Sequence, residues 1–333
     1  ALPSIEFGLI AVDVETSFDP KGEEDSANPH TDRLLSIQVS DGETVWILED
    51  NFMSAVPLLA NPEVKKVGQG FAYDLKFLRH NLGINIENIH DTLMAERVLH
   101  AGQLMPHGLD AILSRRCGVF SDKTIRDQFA NHEGPFTEQQ LEYMATDVFY
   151  LPKIREMQLK DASLRGMGKV IALENETVPV TADMILRGIN FDQDLWDSSV
   201  VWIKEKKEEI KLKIAEYAGV PYTPNLFGGV ELGINLSSPP QILKLLQSHG
   251  YDDVTTREGA LQLALESTDS EMLEKLIGDV LEWRNWEKML EFDYPRFVNP
   301  VSGRIHPGWI QVGPATGRYA CKQPNVQQTK RPK

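Results

Sequence analysis

Cysteine is nearly absent: only Cys117 and Cys321 occur, and their spacing fits neither a disulfide framework nor a metal knuckle. No apolar run approaches the roughly 20 residues that a membrane-spanning helix needs, so no membrane partner is expected. The N-terminal segment shows no basic leader ahead of an apolar stretch, which makes a reducing, cytoplasmic setting the expectation, a nucleoid or a virus-infected cell included. Tandem repeats and low-complexity tracts are missing too, and with them the solenoid and disordered classes. Net positive charge is also lacking. The total of −15 at first sight argues against a nucleic-acid partner.

What is present changes that reading. From Pro300 to Lys333 there are six basic residues (Arg304, Arg318, Lys322, Lys330, Arg331, Lys333) and no acidic ones, so this tail carries +6 and residues 1–299 carry −21. A local basic strip contacts phosphates whatever the sign of the total, although a solvated tail is the commoner role of such a run. With 333 residues and 41% hydrophobic content, the chain has enough apolar material for two or three globular domains.

The stretch Leu-Ile-Ala-Val-Asp-Val-Glu-Thr, residues 9–16, reads as a buried strand that nevertheless carries two carboxylates. Alternation puts Asp13 and Glu15 on one face with Leu9 and Ala11, and Ile10, Val12 and Val14 on the other. Like charges side by side raise each other's pKa. Either one is protonated, or they lie at an exposed strand end, or a divalent cation sits between them.

Strand patterns continue through residue 50, with Asp41-Gly42 as a hairpin signal between two of them and a polar, acidic loop over 17–32. A short strand near 64–70 precedes helical patterns at 71–82, 91–101, 107–116 and 137–163, which together predict a mixed sheet covered by helices. After about residue 165 the pattern becomes helical. One helix is expected to stop at Gly188 and a long one at Gly219; another opens at Ser238-Pro239, and a further pattern runs from Ser270 to Glu291. The expected domains are 1–165, 166–298 and a basic piece, 299–333.

Two further features bear chemistry. Asp74 falls in the first turn of a helix just beyond a short, Gly-flanked strand. Tyr143 and Asp147 stand at i, i+4, on one helical face beside the apolar Met144, Val148 and Leu151. Each feature has a structural alternative: a helix dipole or cap for Asp74, and a hydrogen-bonded core edge for the Tyr–Asp pair. His90, Asp91 and His107 read as structural or capping residues and are not assigned to a metal.

In this order and on these elements, Asp13-x-Glu15, Asp74 and Tyr143-x-x-x-Asp147 resemble the three motifs of the tyrosine-containing branch of the DEDD exonuclease superfamily. The resemblance implies a ribonuclease H-like α/β fold and 3′-to-5′ hydrolysis of nucleic-acid ends. It also implies two divalent cations, Mg²⁺ or Mn²⁺, roughly 4 Å apart. Asp13 would bridge both ions, Glu15 and Asp147 would hold the nucleophile-side ion, and Asp74 would help hold the other through water. Tyr143 would orient the attacking water, with Glu15 helping. Family members commonly carry Asn four residues before the second-motif Asp; Gly70 stands there in this sequence, so one side-chain hydrogen bond in the substrate cleft is missing.

Residues 173–192, 235–250, 281–292 and 303–328 resemble, in order, the thumb and the start of the palm of family A DNA polymerases, the DNA polymerase I type. The Thr-Gly-Arg and Pro-Asn-x-Gln steps of the last segment are the most specific. By this resemblance residues 166–298 are an all-α thumb-like domain and 299–333 an early-palm segment. Arg318, Lys322, Asn325 and Gln328 become candidate DNA contacts, with Lys and Arg to phosphate and Asn and Gln to groove edges. The implied function is a metal-dependent 3′-to-5′ exodeoxyribonuclease, the proofreading module of a family A polymerase, acting on single-stranded 3′ ends and primer-template duplex. Polymerisation is not expected from this chain alone. The alternative is the DNA-binding half of a split polymerase with an attenuated exonuclease, its palm and fingers on a separate chain. An RNA-trimming nuclease of the ribonuclease D kind would share the motifs but not the thumb. An early-palm segment without its sheet partners is expected to be mobile.

Overall fold

A computed structural model describes residues 2, 8–18, 27–225 and 229–329. The first residues of the opening strand pattern, residues 19–26 of the acidic loop, and Lys330, Arg331 and Lys333 of the basic tail lie outside the described residues. The chain divides into two compact units: residues 1–191 with 297–328, and residues 192–296 with 329–333.

The first unit is built on a five-stranded mixed sheet. Its strands are β1 (Leu9–Thr16), β2 (Leu34–Ser40), β3 (Val45–Leu48), β4 (Lys65–Gly68) and β5 (Ile89–Asp91), in the order β3-β2-β1-β4-β5. The β1–β2 and β2–β3 pairs are antiparallel, while β4 lies parallel to both β1 and β5. This is the ribonuclease H-like sheet that the motif order implied. Asp41 makes the β2–β3 turn by accepting the N–H groups of Glu43 (2.9 Å) and Thr44 (2.7 Å).

Helices α1 (Val56–Leu59), α2 (Ala72–Leu82), α3 (Thr92–Leu99), α4 (Leu109–Cys117), α5 (Glu138–Phe149), α6 (Leu151–Arg165) and α7 (Gly168–Arg187) belong to this unit. The single helical pattern over 137–163 divides into α5 and α6 at Tyr150, because Pro152 lacks the N–H that a continuous helix would use.

Strand β1 is central, and its two faces enter two cores. Ile10, Val12 and Val14 pack with Phe71, Leu75, Phe77 and Leu78, whereas Ala11 packs with Val67, Ile112, Leu113, Val148, Leu151 and Ile154. A buried aliphatic or aromatic side chain contributes about 1.5–3 kcal/mol, so both faces hold the strand in one register.

The segment after Phe297 is folded onto this unit. It forms short strands β9 (Arg304–Ile305), β10 (Gly308–Ile310) and β11 (Ala320–Lys322); β6 (Ile189–Asn190) pairs with β9, and β10 with β11. Gln311 fastens it: its carbonyl accepts from Arg97 of α3 (2.7 Å), its Nε2 donates to the Glu174 carbonyl of α7 (2.7 Å), and its Oε1 accepts from Thr181 (3.0 Å). This segment therefore finds partners on α3 and α7, which the sequence did not suggest.

The second unit contains α8 (Gln193–Ala218), α9 (Pro239–Gln247), α10 (Glu258–Ser267) and α11 (Glu271–Leu290), with a small antiparallel pair, β7 (Tyr222–Pro224) and β8 (Val230–Leu232). Its core gathers Ile210, Ile214, Ile242, Leu246, Leu261, Leu276, Ile277 and Val280. The units divide at Phe191/Asp192, where Asp192 caps α8 through the Leu195 N–H (2.9 Å). The compact units thus differ from the three segments read from sequence: α7 and residues 297–328 group with the sheet. Among the described residues no helix is long and apolar enough to cross a membrane.

Candidate active site

The two carboxylates of β1 stand on its Ala11 face, opposite the buried Gln38 and Ser36 of β2. A register shift between Glu15 and Thr16 ends regular pairing just after the second carboxylate. Pairing resumes one step out of register at Thr16–Leu34, so the irregularity lies directly beside the second carboxylate.

Helix α5 covers that face. It starts with a reciprocal cap in which Gln140 N–H donates to Thr137 Oγ1 (3.3 Å) and Thr137 N–H to Gln140 Oε1 (2.9 Å). Met144 and Val148 enter the core, and Asp147 between them turns toward β1. Oxygen atoms of Asp13, Glu15 and Asp147 lie within 4.8 Å of one another, and among the described residues no other such group of three potential ligands forms. The Tyr143 hydroxyl donates to the Asp147 carboxylate.

Asp74 joins from the opposite side of β1. Its Oδ1 accepts the backbone N–H of Val14 at 3.0 Å, and its carboxyl hydrogen-bonds that of Asp13. The turn before α2 makes this reach depend on glycine. A Cβ at Gly68 would fall 2.3 Å from the Phe71 ring, and Gly70 has φ +63°, in the left-handed region.

Burial and mutual repulsion dominate the electrostatics. Glu15, Asp74 and Asp147 are 9%, 2% and 8% exposed, so all three are largely removed from water, while Asp13 is half-buried. Desolvation pushes the Asp13 carboxyl up from 3.8 to about 6, opposed by its bond to Asp74 and by the Arg126 guanidinium. Desolvation also raises Glu15, helped by the charges of Asp13 and Asp147; Asp74 and Asp147 rise by burial and then by the Asp13 charge. Burial lifts Tyr143 as well, which keeps the phenol protonated.

A buried, all-oxygen donor set with a surplus of negative charge fits a hard divalent cation, which would remove the repulsion that now drives protonation. The donor set contains no nitrogen or sulfur to favour a softer metal.

Sequence reasoning missed several neighbours. Tyr73, beside Asp74, shares a 2.7 Å hydrogen bond with Thr16 Oγ1, and Arg126 comes from a 3-10 helix, Lys123–Phe129, whose pattern carries no period. Ser17, Phe18, Asp32, Arg33, Ala130, Asn131 and Glu133 line an open cavity of about 320 Å³ that starts two residues past Glu15. His90 is buried and bonds Gln158 Oε1 at 2.9 Å, and burial pushes its pKa down to about 4. Lys322 ends β11, Arg318, Asn325 and Gln328 fall on the segments beside it, and none of the four belongs to the carboxylate cluster.

A family model for 3′-5′ exonuclease matches residues 6–161, and one for DNA polymerase family A matches residues 203–331. DNA polymerase I of Chloroflexus aurantiacus is 28% identical over 314 residues, covering 87% of this chain and 30% of the relative. The chain is thus similar to the DNA polymerase I type of family A over most of its length. DNA polymerase I of Aquifex aeolicus is 25% identical over 321 residues, with 89% and 52% covered. The chain thus spans between about a third and a half of the length of these relatives. The POL domain of Pol1 from M. smegmatis, solved with DNA primer-template and dNTP, shares the fold over 97% of this chain and 52% of that one, with TM-score 0.68 and 16% identity.

Proposed function

We propose that the chain is a metal-dependent 3′-to-5′ exonuclease that removes nucleotides one at a time from DNA 3′ ends and serves as the proofreading module of a family A polymerase. The observation that carries this reading is the gathering of Asp13, Glu15 and Asp147 within 4.8 Å, with Asp74 bonded to the backbone between the first two.

In this reading Asp13, Glu15, Asp74 and Asp147 hold two divalent cations, Mg²⁺ or Mn²⁺. Such cations neutralise the phosphodiester and lower the pKa of a bound water. Tyr143, kept protonated by burial, uses its hydroxyl to orient the attacking water, and Glu15 accepts a hydrogen bond from the same water. Water adds to phosphorus as the bond to the 3′ oxygen breaks, releasing a nucleoside 5′-monophosphate.

The three segments 1–165, 166–298 and 299–333 then act as exonuclease, thumb and start of palm. Arg318 and Lys322 contact phosphates of the primer-template, and Asn325 and Gln328 contact groove edges. Polymerisation requires palm and fingers residues beyond these 333, on a continued or a separate chain.

The test incubates the chain with a 5′-labelled single strand and with matched and mismatched primer-templates, in Mg²⁺ and in EDTA, beside Asp147→Ala. The expected result is a Mg²⁺-dependent ladder shortening from the 3′ end, faster on frayed ends and lost in the variant. Tight DNA binding without a ladder overturns the reading.

A further inference from the structure

Asp91 ends β5 and stays out of the carboxylate cluster, yet it is 1% exposed. Its carboxylate takes backbone N–H groups from the starts of two helices at once. It caps α3 through Leu93 (2.8 Å) and Met94 (3.4 Å), and it accepts from Gly70 (2.9 Å) and Phe71 (2.8 Å) at the head of α2. Helix α2 has no side-chain cap from its own N-cap residue, Phe71, so Asp91 supplies the acceptor from another strand. The Phe71 N–H at the N-cap, the Gly70 N–H just before it and the positive end of the α2 dipole thus meet one buried carboxylate.

The clamp has a geometric consequence for Asp74, the third residue of α2. Where α2 begins decides where the Asp74 carboxylate lies. One end of the arrangement is fixed by Val14 N–H on Asp74 Oδ1 (3.0 Å), the other by Asp91 on the Gly70–Phe71 amides. Parallel pairing sets Gly68 opposite Asp91. Asp91 is itself held, because its N–H donates to Asn175 Oδ1 of α7 at 2.9 Å. Gly70, at φ +63°, turns its N–H toward the clamp in a conformation most side chains resist.

We propose that Asp91 is a positioning residue of the exonuclease site: by clamping the Gly70 and Phe71 amides it fixes the first turn of α2, and so holds Asp74 where it completes the cation-binding set. This rests on the function proposed above. A plain cap of α3 would contribute to stability alone; a positioning residue also sets cation affinity in the folded protein. Groups that orient metal ligands typically change metal affinity or activity about 10–100-fold when removed.

The test uses the full chain as wild type, Asp91→Asn, Asp91→Ala and Asp74→Asn. Mn²⁺ binding is measured from the free-ion EPR signal, folding by circular dichroism and melting, and cleavage of a 5′-labelled single strand across a Mg²⁺ series. Asp91→Asn keeps the size and one acceptor oxygen but turns an NH₂ group toward a donor. It is expected to stay folded, to weaken Mn²⁺ binding about tenfold or more, and to raise the half-saturating Mg²⁺ concentration in proportion, with the KM for the oligonucleotide unchanged. Asp91→Ala should show the larger shift, approaching Asp74→Asn.

A folded Asp91→Asn with wild-type Mn²⁺ affinity and Mg²⁺ dependence overturns the proposal, as does an activity loss with no change in metal dependence. If both Asp91 variants fail to fold, Asn175→Ala removes the acceptor for the Asp91 N–H, together with the 3.4 Å contact of Asn175 Nδ2 with His90 Nδ1, and leaves the Asp91 carboxylate in place; a smaller shift of the same kind supports the proposal, and none overturns it. A wild-type chain that binds Mn²⁺ but shortens no DNA overturns the proposed function alone, since the Asp91 dependence of Mn²⁺ affinity still decides the inference. A wild type that binds no Mn²⁺ overturns both.

Discussion

Val14 donates its backbone N–H to Asp74 Oδ1 at 3.0 Å, so the helix carboxylate is tied to the strand between the two strand carboxylates. Asp74 thereby has two separable tasks: accepting that N–H and bearing charge. Asp74→Asn keeps an acceptor oxygen while losing the charge, and it should fold with little change in melting temperature. Its cleavage rate in Mg²⁺ should fall about a hundredfold or more, equivalent to about 2.7 kcal/mol in the barrier. Asp74→Ala should lose the same activity and also about 1–3 kcal/mol of stability, because the buried Val14 N–H is left unsatisfied. Equal melting temperatures for the two variants would contradict this division.

The cation-free site predicts an unusual pH dependence. Burial raises the Asp13 carboxyl from 3.8 to about 6, so between these values the folded chain binds more protons than the unfolded one. Stability contributed by that proton is present below pH 4 and is lost as pH rises through about 6. Glu15, Asp74 and Asp147 shift the same way. In EDTA the melting temperature should therefore fall as pH rises through this window, and millimolar Mg²⁺ or Mn²⁺ should remove the fall by supplying the missing positive charge. Asp13→Asn should flatten the EDTA profile. A melting temperature that rises across the window in EDTA would show that the carboxylates do not repel as described.

Tyr143 donates its hydroxyl to Asp147 and is kept protonated by burial. A phenol so held acts as a hydrogen-bonding positioner, not as a base. Tyr143→Phe should reduce kcat about a hundredfold, leave DNA affinity within about twofold and cost about 1 kcal/mol of stability. The pH–rate profile of the residual activity should keep its shape, whereas a lost basic limb would identify Tyr143 as a titrating catalyst.

Period and spacing made much of this site legible. Alternation along β1 placed Asp13 and Glu15 with Ala11, and in the structure Ala11 and the opposite Ile10–Val12–Val14 face do enter separate cores. The i, i+4 spacing placed Tyr143 and Asp147 on one helical face. The Asp74–Val14 bond spans 60 residues and leaves no local trace, and neither does the Asp91 clamp on Gly70 and Phe71. Arg126 sits in a 3-10 turn with no amphipathic period to announce it. Strands β9–β11 are two or three residues long, below the length at which alternation is readable, and Gln311 is buried through bonds to Arg97, Glu174 and Thr181, more than 100 residues away.

Arg318 has an exposed side chain, and its structural contribution is its carbonyl, which accepts the Gly313 N–H at 3.1 Å. Arg318→Ala should therefore melt with the wild type. If the side chain contacts a phosphate, affinity for primer-template duplex should weaken similarly across sequences, and the slope of log K against log salt should shrink by about 1. Fluorescence anisotropy at several salt concentrations reads both. An unchanged slope would exclude Arg318 as a phosphate contact.

Gly70 stands where the exonuclease resemblance implies Asn, and its geometry shows what the exchange demands. At φ +63° an L side chain is strained by about 1–2 kcal/mol, but Asn enters this region more readily than others, and a Cβ there would meet Leu93 Cδ2 at an ordinary 3.4 Å. The Gly70 N–H already points at Asp91, so the backbone need not move to receive an amide side chain. Gly70→Asn should lower the melting temperature by only a few degrees and lower the KM for a single-stranded 3′ end, with the Mg²⁺ half-saturation unchanged. Gly70→Val, β-branched and poorly suited to positive φ, should instead disturb the turn that carries Asp74 and raise the Mg²⁺ requirement. If Asn and Val behaved alike, the glycine would be required by space rather than by backbone conformation, and the left-handed turn would not be what limits this position.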